Sequence, residues 1–200
     1  SDMYYFIDDM AAAVKDCGAK ANICRSIVNF AEPDVWKLPS MKEMVDTYSW
    51  NGAENGRIII DISMHAEYTS NENDVLAVAG FAKEKGARMH IHMSETQLEH
   101  EECKQRRGGK TPVQYFNSLG CFDMPTTVAH GVWIEGEDFD ILKEKGATVA
   151  SNPISNLKLA SGMCNTPKML EKGINLAIGT DSVASNNSLN FFEEMKTLAV

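Results

Sequence analysis

Residues 88–96 read RMHIHMSET. A strand sends alternate side chains to opposite faces, so His90 and His92 share one face and Met89, Ile91 and Met93 the other. An amphipathic stretch, 71–85, precedes this run and ends at Gly86. A glycine just past a helix is a common stop, so the unit reads helix, glycine, strand. It recurs along the chain. Apolar, β-branched runs occur at 21–28, 57–62, 88–93, 126–130, 147–150 and 174–178, and Gly18, Gly56, Gly86, Gly146 and Gly173 stand before five of them. With 71–85, the stretch 135–145 is the clearest helix between runs. Such alternation predicts a parallel sheet covered by helices.

An open doubly wound sheet and a (β/α)8 barrel both satisfy that pattern. The turn Gly-x-Gly-x-x-Gly of a dinucleotide fold is absent from the sequence. Polar residues instead follow the ends of several different strands: His65, Glu95, His130, Asn152, Asn156 and Asp181. Barrel enzymes place their chemistry at that face, whereas an open sheet gathers it at one switch point. The expected architecture is therefore α/β, a TIM-type barrel. Six strands are predicted where a closed barrel needs eight. The expectation is an incomplete (β/α)8 barrel, about strands three to eight, in one partial domain over residues 1–200. Helices are expected at 3–17 and 189–200. The stretch 32–49, with two prolines, reads as a long loop over the substrate.

The net charge of −9 argues against nucleic acid, whose phosphates need a basic patch. No run of about twenty apolar residues would span a membrane. The start shows no basic segment followed by an apolar one, so no secretory signal is expected. Cys17, Cys24, Cys103, Cys121 and Cys164 form no close pair. That pattern suits reduced thiols and a cytoplasmic protein better than a disulfide framework.

Histidines and a carboxylate arriving from separate strand ends suit a divalent ion such as zinc. Each also has a purely structural reading. His90 and His92 can be hydrogen-bonded core residues, His130 a turn residue and Asp181 a helix N-cap. A Ser-His-Asp triad is the weaker alternative, because no Gly-x-Ser-x-Gly elbow is present. Spacing leaves Cys–His catalysis open.

Four motifs, HIHMSET (90–96), AHGVW (129–133), SNLKLASG (155–162) and GTDSVASNNSL (179–189), occur in an order that resembles the amidohydrolase superfamily. Within it they are most similar to the branch of S-adenosylhomocysteine/5′-methylthioadenosine deaminases and triazine chlorohydrolases. HAEYT (65–69) resembles that branch's His-Ala-Pro-Tyr-Thr. The resemblance implies a barrel with one divalent metal, usually zinc and sometimes iron. Its ligands there are a His-x-His on the first strand, a histidine on the fifth and an aspartate on the eighth.

His92 and Asp181 match the last two ligands, and Asp181 would also take a proton from water. Glu95 matches the acid that protonates the substrate ring, and His130 the histidine that orients the attacking oxygen. His65 and Arg25 match substrate-contacting residues. Glu67, Ser151 and Gly131 depart from the pattern, where proline, histidine and cysteine are common. No His-x-His precedes residue 65. The implied activity is hydrolytic deamination of an adenosine derivative or similar small heterocycle. Chlorohydrolysis or deamination of a triazine or guanine is the alternative, and a non-catalytic fragment is the third reading. Self-association is expected, since unpaired strand edges invite another chain.

Overall fold

The computed structural model describes residues 1–199. The chain divides into two compact units. One comprises Ser1–Ile91 with Leu119–Pro125, the other His92–Ser118 with the chain from Thr126 onward.

Parallel strands form the first unit. β2 (Ala21–Ile27) pairs with β1 (Asp2–Tyr4) on one side, and with β3 (Ile58–Ile60) and β4 (Ile62–Met64) on the other. The first half of β5 (Met89–Met93) then pairs with β4, Ser63 opposite His90. Ile23, Ile58 and Ile60 pack with Ile7 and Ala11 of the helix Ile7–Cys17, all of them buried. The helix Glu72–Lys85 shows why the sequence signals were legible. Asn71 caps Asp74 N, the Asp74 carboxylate returns to Asn71 N at 3.0 Å, and Gly86 ends the helix at φ 59°.

In the second unit β6 (Thr126–His130), β7 (Thr148–Ser151) and β8 (Asn175–Ile178) are parallel neighbours. The end of β5 joins them, the Met93 carbonyl accepting Gly131 N at 3.1 Å. Helices Gln97–Arg106, Pro112–Ser118, Asp138–Glu144, Pro153–Lys158, Thr166–Glu171 and Phe191–Leu198 connect or follow the strands. Val128, Phe116, Phe139, Leu142, Val149 and Met169 are buried in this unit.

Several expectations shift. The first helix begins at Ile7 rather than residue 3, because residues 2–4 pair as β1. The run 57–62 is two strands, separated at Asp61, which is buried and meets Arg88 at 3.0 Å. The stretch 32–49 is not a loop: Val35–Lys37 forms a 3-10 turn and Pro39–Thr47 an α-helix. Asp34 caps the turn, Pro39 opens the helix, and Met41 and Met44 lie buried one turn apart. The helix expected at 135–145 is shorter, Asp138–Glu144, and the last helix runs Phe191–Leu198, Val200 lying outside the described residues. Among the described residues all five cysteines are free and no helix is long and apolar enough to cross a membrane.

Candidate active site

Three residues that follow strand bodies in the second unit adopt the left-handed region: Ser94 (φ 53°) after β5, His130 (φ 71°) ending β6, and Asp181 (φ 57°) after β8. None is glycine, and such conformations persist in side-chain-bearing residues only where the surroundings hold them. They turn the chain sharply where each strand ends.

His130 is the hub. Its ring is buried and stacks on His92, centroids 5.3 Å apart and planes 26° from parallel. Its Nδ1 lies 2.9 Å from Asn156 Oδ1, and its Nε2 lies 3.6 Å from Glu95 Oε2. An amide oxygen can only accept, so Nδ1 carries a hydrogen and Nε2 is directed toward Glu95. Asn152 Nδ2 approaches the same Nδ1 at 3.4 Å, a longer and weaker contact that does not reverse this assignment. Glu95 keeps one-fifth of its side chain exposed, 19 % against 2 % for His130, so it looks from the buried hub toward solvent.

Asp181 accepts from Ser155 Oγ at 2.6 Å and from Ser182 N at 2.7 Å. Burial would raise its carboxyl. The bonds from Ser155, Ser185 and Ser182, with His130 nearby, outweigh that and hold it below the usual aspartate value. Asp181 is thus ionised at neutral pH.

The second unit therefore brings Glu95 and His92 to His130, and Asp181 into its electrostatic range. Arg25 and His65 belong to the first unit. Arg25 pairs with Glu43 at 2.7 Å and lies over the Tyr5 ring at 4.4 Å. His65 Nδ1 meets Thr69 Oγ1 at 3.1 Å. His90 Nδ1 lies 3.7 Å from Cys24 Sγ. Burial pushes the Cys24 thiol up, and that of Cys164 to about 11, so neither is poised as a thiolate nucleophile.

The donor types fit a divalent metal: an imidazole at His92 and an ionised carboxylate at Asp181. Among the described residues, no group of three or more His, Cys, Asp or Glu side chains is gathered to hold an ion. The fit therefore extends to two donors.

Ser155 and Glu99 escaped the sequence reading. Ser155 lies inside the SNLKLASG motif, and Thr96-x-x-Glu99 is a capping-box pattern, so both had a local signal. Gly131, a departure from the resembled pattern, has a steric reason. At φ 61° an added Cβ would stand 2.8 Å from Val149 Cγ1 and 2.9 Å from Ile134 Cδ1.

The description of the amidohydrolase family matches residues 1–200. The chain belongs to the amidohydrolase family. Among curated relatives, it is 43 % identical over 195 residues to a 5-methylthioadenosine/S-adenosylhomocysteine deaminase of Caldanaerobacter subterraneus, covering 97 % of this chain and 45 % of that protein. It is 38 % identical over 200 residues to a 5′-deoxyadenosine deaminase of Methanosarcina mazei, covering 100 % of this chain and 46 % of the relative. Among solved structures, it superposes on an adenosine deaminase of Xanthomonas campestris with bound zinc. The TM-score is 0.88 and the identity 29 %, over 98 % of this chain and 44 % of that one. This amidohydrolase chain thus spans just under half the length of the relatives it matches. The α/β reading and the family resemblance both stand.

Proposed function

We propose that this chain supplies part of the active site of a metal-dependent aminohydrolase acting on an adenosine derivative or a similar small heterocycle. The contact set of His130 carries the reading. One buried imidazole touches His92, faces Glu95 at 3.6 Å, is anchored by Asn156 and helps keep Asp181 ionised.

In this reading His92 and Asp181 are metal ligands, zinc being the ion and iron the alternative. When bound, such an ion makes water acidic enough to attack near neutral pH. Asp181, already ionised, accepts the proton that the water gives up. Glu95 delivers a proton to the ring nitrogen beside the attacked carbon. His130 aligns the attacking oxygen through its Nε2 edge, Asn156 fixing the ring from the other side. The oxygen bonds to the ring carbon; the exocyclic amine takes the proton held by Asp181, the hydroxyl proton returns to Glu95 as the carbonyl forms, and the C–N bond breaks to release ammonia. His65 and Arg25 are assigned to substrate contact on the resemblance alone.

A cytoplasmic location belongs to the same reading, supported by five free cysteines. So does self-association, for which the exposed Phe191, Phe192, Leu189 and Met195 offer apolar surface.

The deciding experiment assays the full-length protein against adenosine, 5′-deoxyadenosine, 5′-methylthioadenosine, S-adenosylhomocysteine, guanine and a chlorotriazine. Ammonia release from one of the adenosine compounds is expected. Turnover confined to guanine or the triazine would replace the substrate class, and none at all in a metal-replete preparation would end the enzyme reading.

A further inference from the structure

The proposed acid, Glu95, sits in a three-residue turn whose three backbone N–H groups and Ser94 carbonyl are tied to neighbouring residues. Ser94 N and Glu95 N donate to the two oxygens of the Glu99 carboxylate at 3.1 and 2.8 Å. Thr96 N approaches the same group at 3.5 Å. The Ser94 carbonyl accepts Trp133 N at 2.9 Å. Ser94 Oγ lies 3.1 Å from His100 Nδ1, and the far nitrogen of that ring lies 3.1 Å from Glu135 Oε1. A carboxylate only accepts, so His100 Nε2 carries a hydrogen.

An ordinary capping box would need only the bond from Glu99 to Thr96 N. Here that bond is the longest of the three, and the shortest goes to Glu95 itself. Capping glutamates also sit at the surface at little cost, whereas Glu99 is 6 % exposed and the adjacent His100 is 2 % exposed. A buried carboxylate demands compensation. Three consecutive amides supply part of it, and in return they are locked in place. Ser94 is held at φ 53° by the same bonds, which is where a loose chain would relax.

We propose that Glu99 and His100 are positioning residues, a buried latch that fixes the 94–96 turn and so aims the Glu95 carboxyl at the reacting ring. This rests on the reading of Glu95 as the proton donor. The latch works through geometry: proton delivery is lost steeply when the donor is misplaced, whereas binding of the substrate elsewhere is not.

Four variants of the full-length protein test it. Glu95→Gln is the control, expected to lose about 10²-fold or more in kcat. Glu99→Gln retains the volume but places a donor against amide donors. It is expected to lose about 10- to 100-fold in kcat, in keeping with the cost of small misplacements, with KM within about threefold of wild type. Metal content should be unchanged, and amide hydrogen exchange at residues 94–96 should speed up while that of β6 does not. Glu99→Asp, too short to reach both oxygens' partners, should fall between the two. If Glu99→Gln fails to fold, Ser94→Gly decides. Glycine suits the positive φ, which offsets part of the loss of the buried tie to His100; kcat should fall in the folded variant, and wild-type kcat there overturns the latch. Wild-type kcat in folded Glu99→Gln, or unchanged exchange at 94–96, overturns the latch while leaving Glu95 in its role. Wild-type kcat in Glu95→Gln overturns the reading of Glu95 and the latch with it.

Discussion

Glu95→Gln keeps the shape of the side chain and removes its proton. Because Glu95 faces His130 and is assigned no place among the metal ligands, the variant should keep its metal while kcat falls about 10²- to 10⁴-fold. Metal analysis beside steady-state kinetics checks both halves, and a stripped protein would move Glu95 into the coordination shell. Glu99 makes a different prediction. Burial pushes its carboxyl up from 4.5 to about 7, and the amides of Glu95, Ser94 and Thr96 offset only part of that. The folded chain therefore binds this proton more tightly than the unfolded chain between those values. Stability from this group is greatest at acid pH and falls as pH rises through 7. Urea denaturation from pH 4.5 to 8 should show that decline, and it should flatten in Glu99→Gln. At Gly131 the limit is space. Gly131→Ala meets Val149 and Ile134 under 3 Å at a positive φ, so it should cost about 1–3 kcal/mol in the same measurement.

The helix Phe191–Leu198 reaches back to the turn that carries Asp181. Glu194, fully buried, accepts Ile154 N at 3.0 Å and Asn186 Nδ2, and Asn186 in turn donates to the Thr180 carbonyl at 2.8 Å. One carboxylate thus joins the start of the helix Pro153–Lys158 to the segment after β8. Both elements hold site residues: Ser155 and Asn156 on the first, Asp181 on the second. Removing the acceptor leaves buried donors unpaired, a loss of about 1–3 kcal/mol. Glu194→Ala should therefore lower the denaturation midpoint and speed amide exchange at Ser182 and Asn186. Equal exchange in wild type and variant would mean that the turn is held by other bonds.

Residues 1–200 taken alone should bind zinc weakly. Catalytic zinc usually has three protein ligands, and His92 with Asp181 supplies two, no three-donor group being assembled among the described residues. Equilibrium dialysis with metal analysis should return well under one tightly bound zinc per chain. Stoichiometric tight binding would point to a third donor, with His130 the first to test. Light scattering on the same preparation is expected to give a mass above that of a monomer, because large apolar side chains such as Phe192 and Phe191 are exposed.

Much of this was legible in one dimension because it rests on local physics. Strand and helix periodicity and the glycine stops depend on neighbours a few residues away, and all six predicted runs fall on observed strands, 57–62 as two, with β1 in addition. The order of HIHMSET, AHGVW, SNLKLASG and GTDSVASNNSL sufficed to bring His92, Glu95, His130 and Asp181 forward as a set. The break at Asp61 and the helix Pro39–Thr47 were hidden because burial against distant residues decided them, Arg88 in one case and the packing of Met41 and Met44 in the other. Only the tertiary structure could show that Asn156 sets the hydrogen on His130, that Ser155 helps keep Asp181 charged, and that Glu99 grips the turn of Glu95. Periodicity reports which way a side chain faces. The protonation and aim of that side chain are set by partners that folding brings from 26 residues away to His130 and Asp181, and those partners leave no periodic trace.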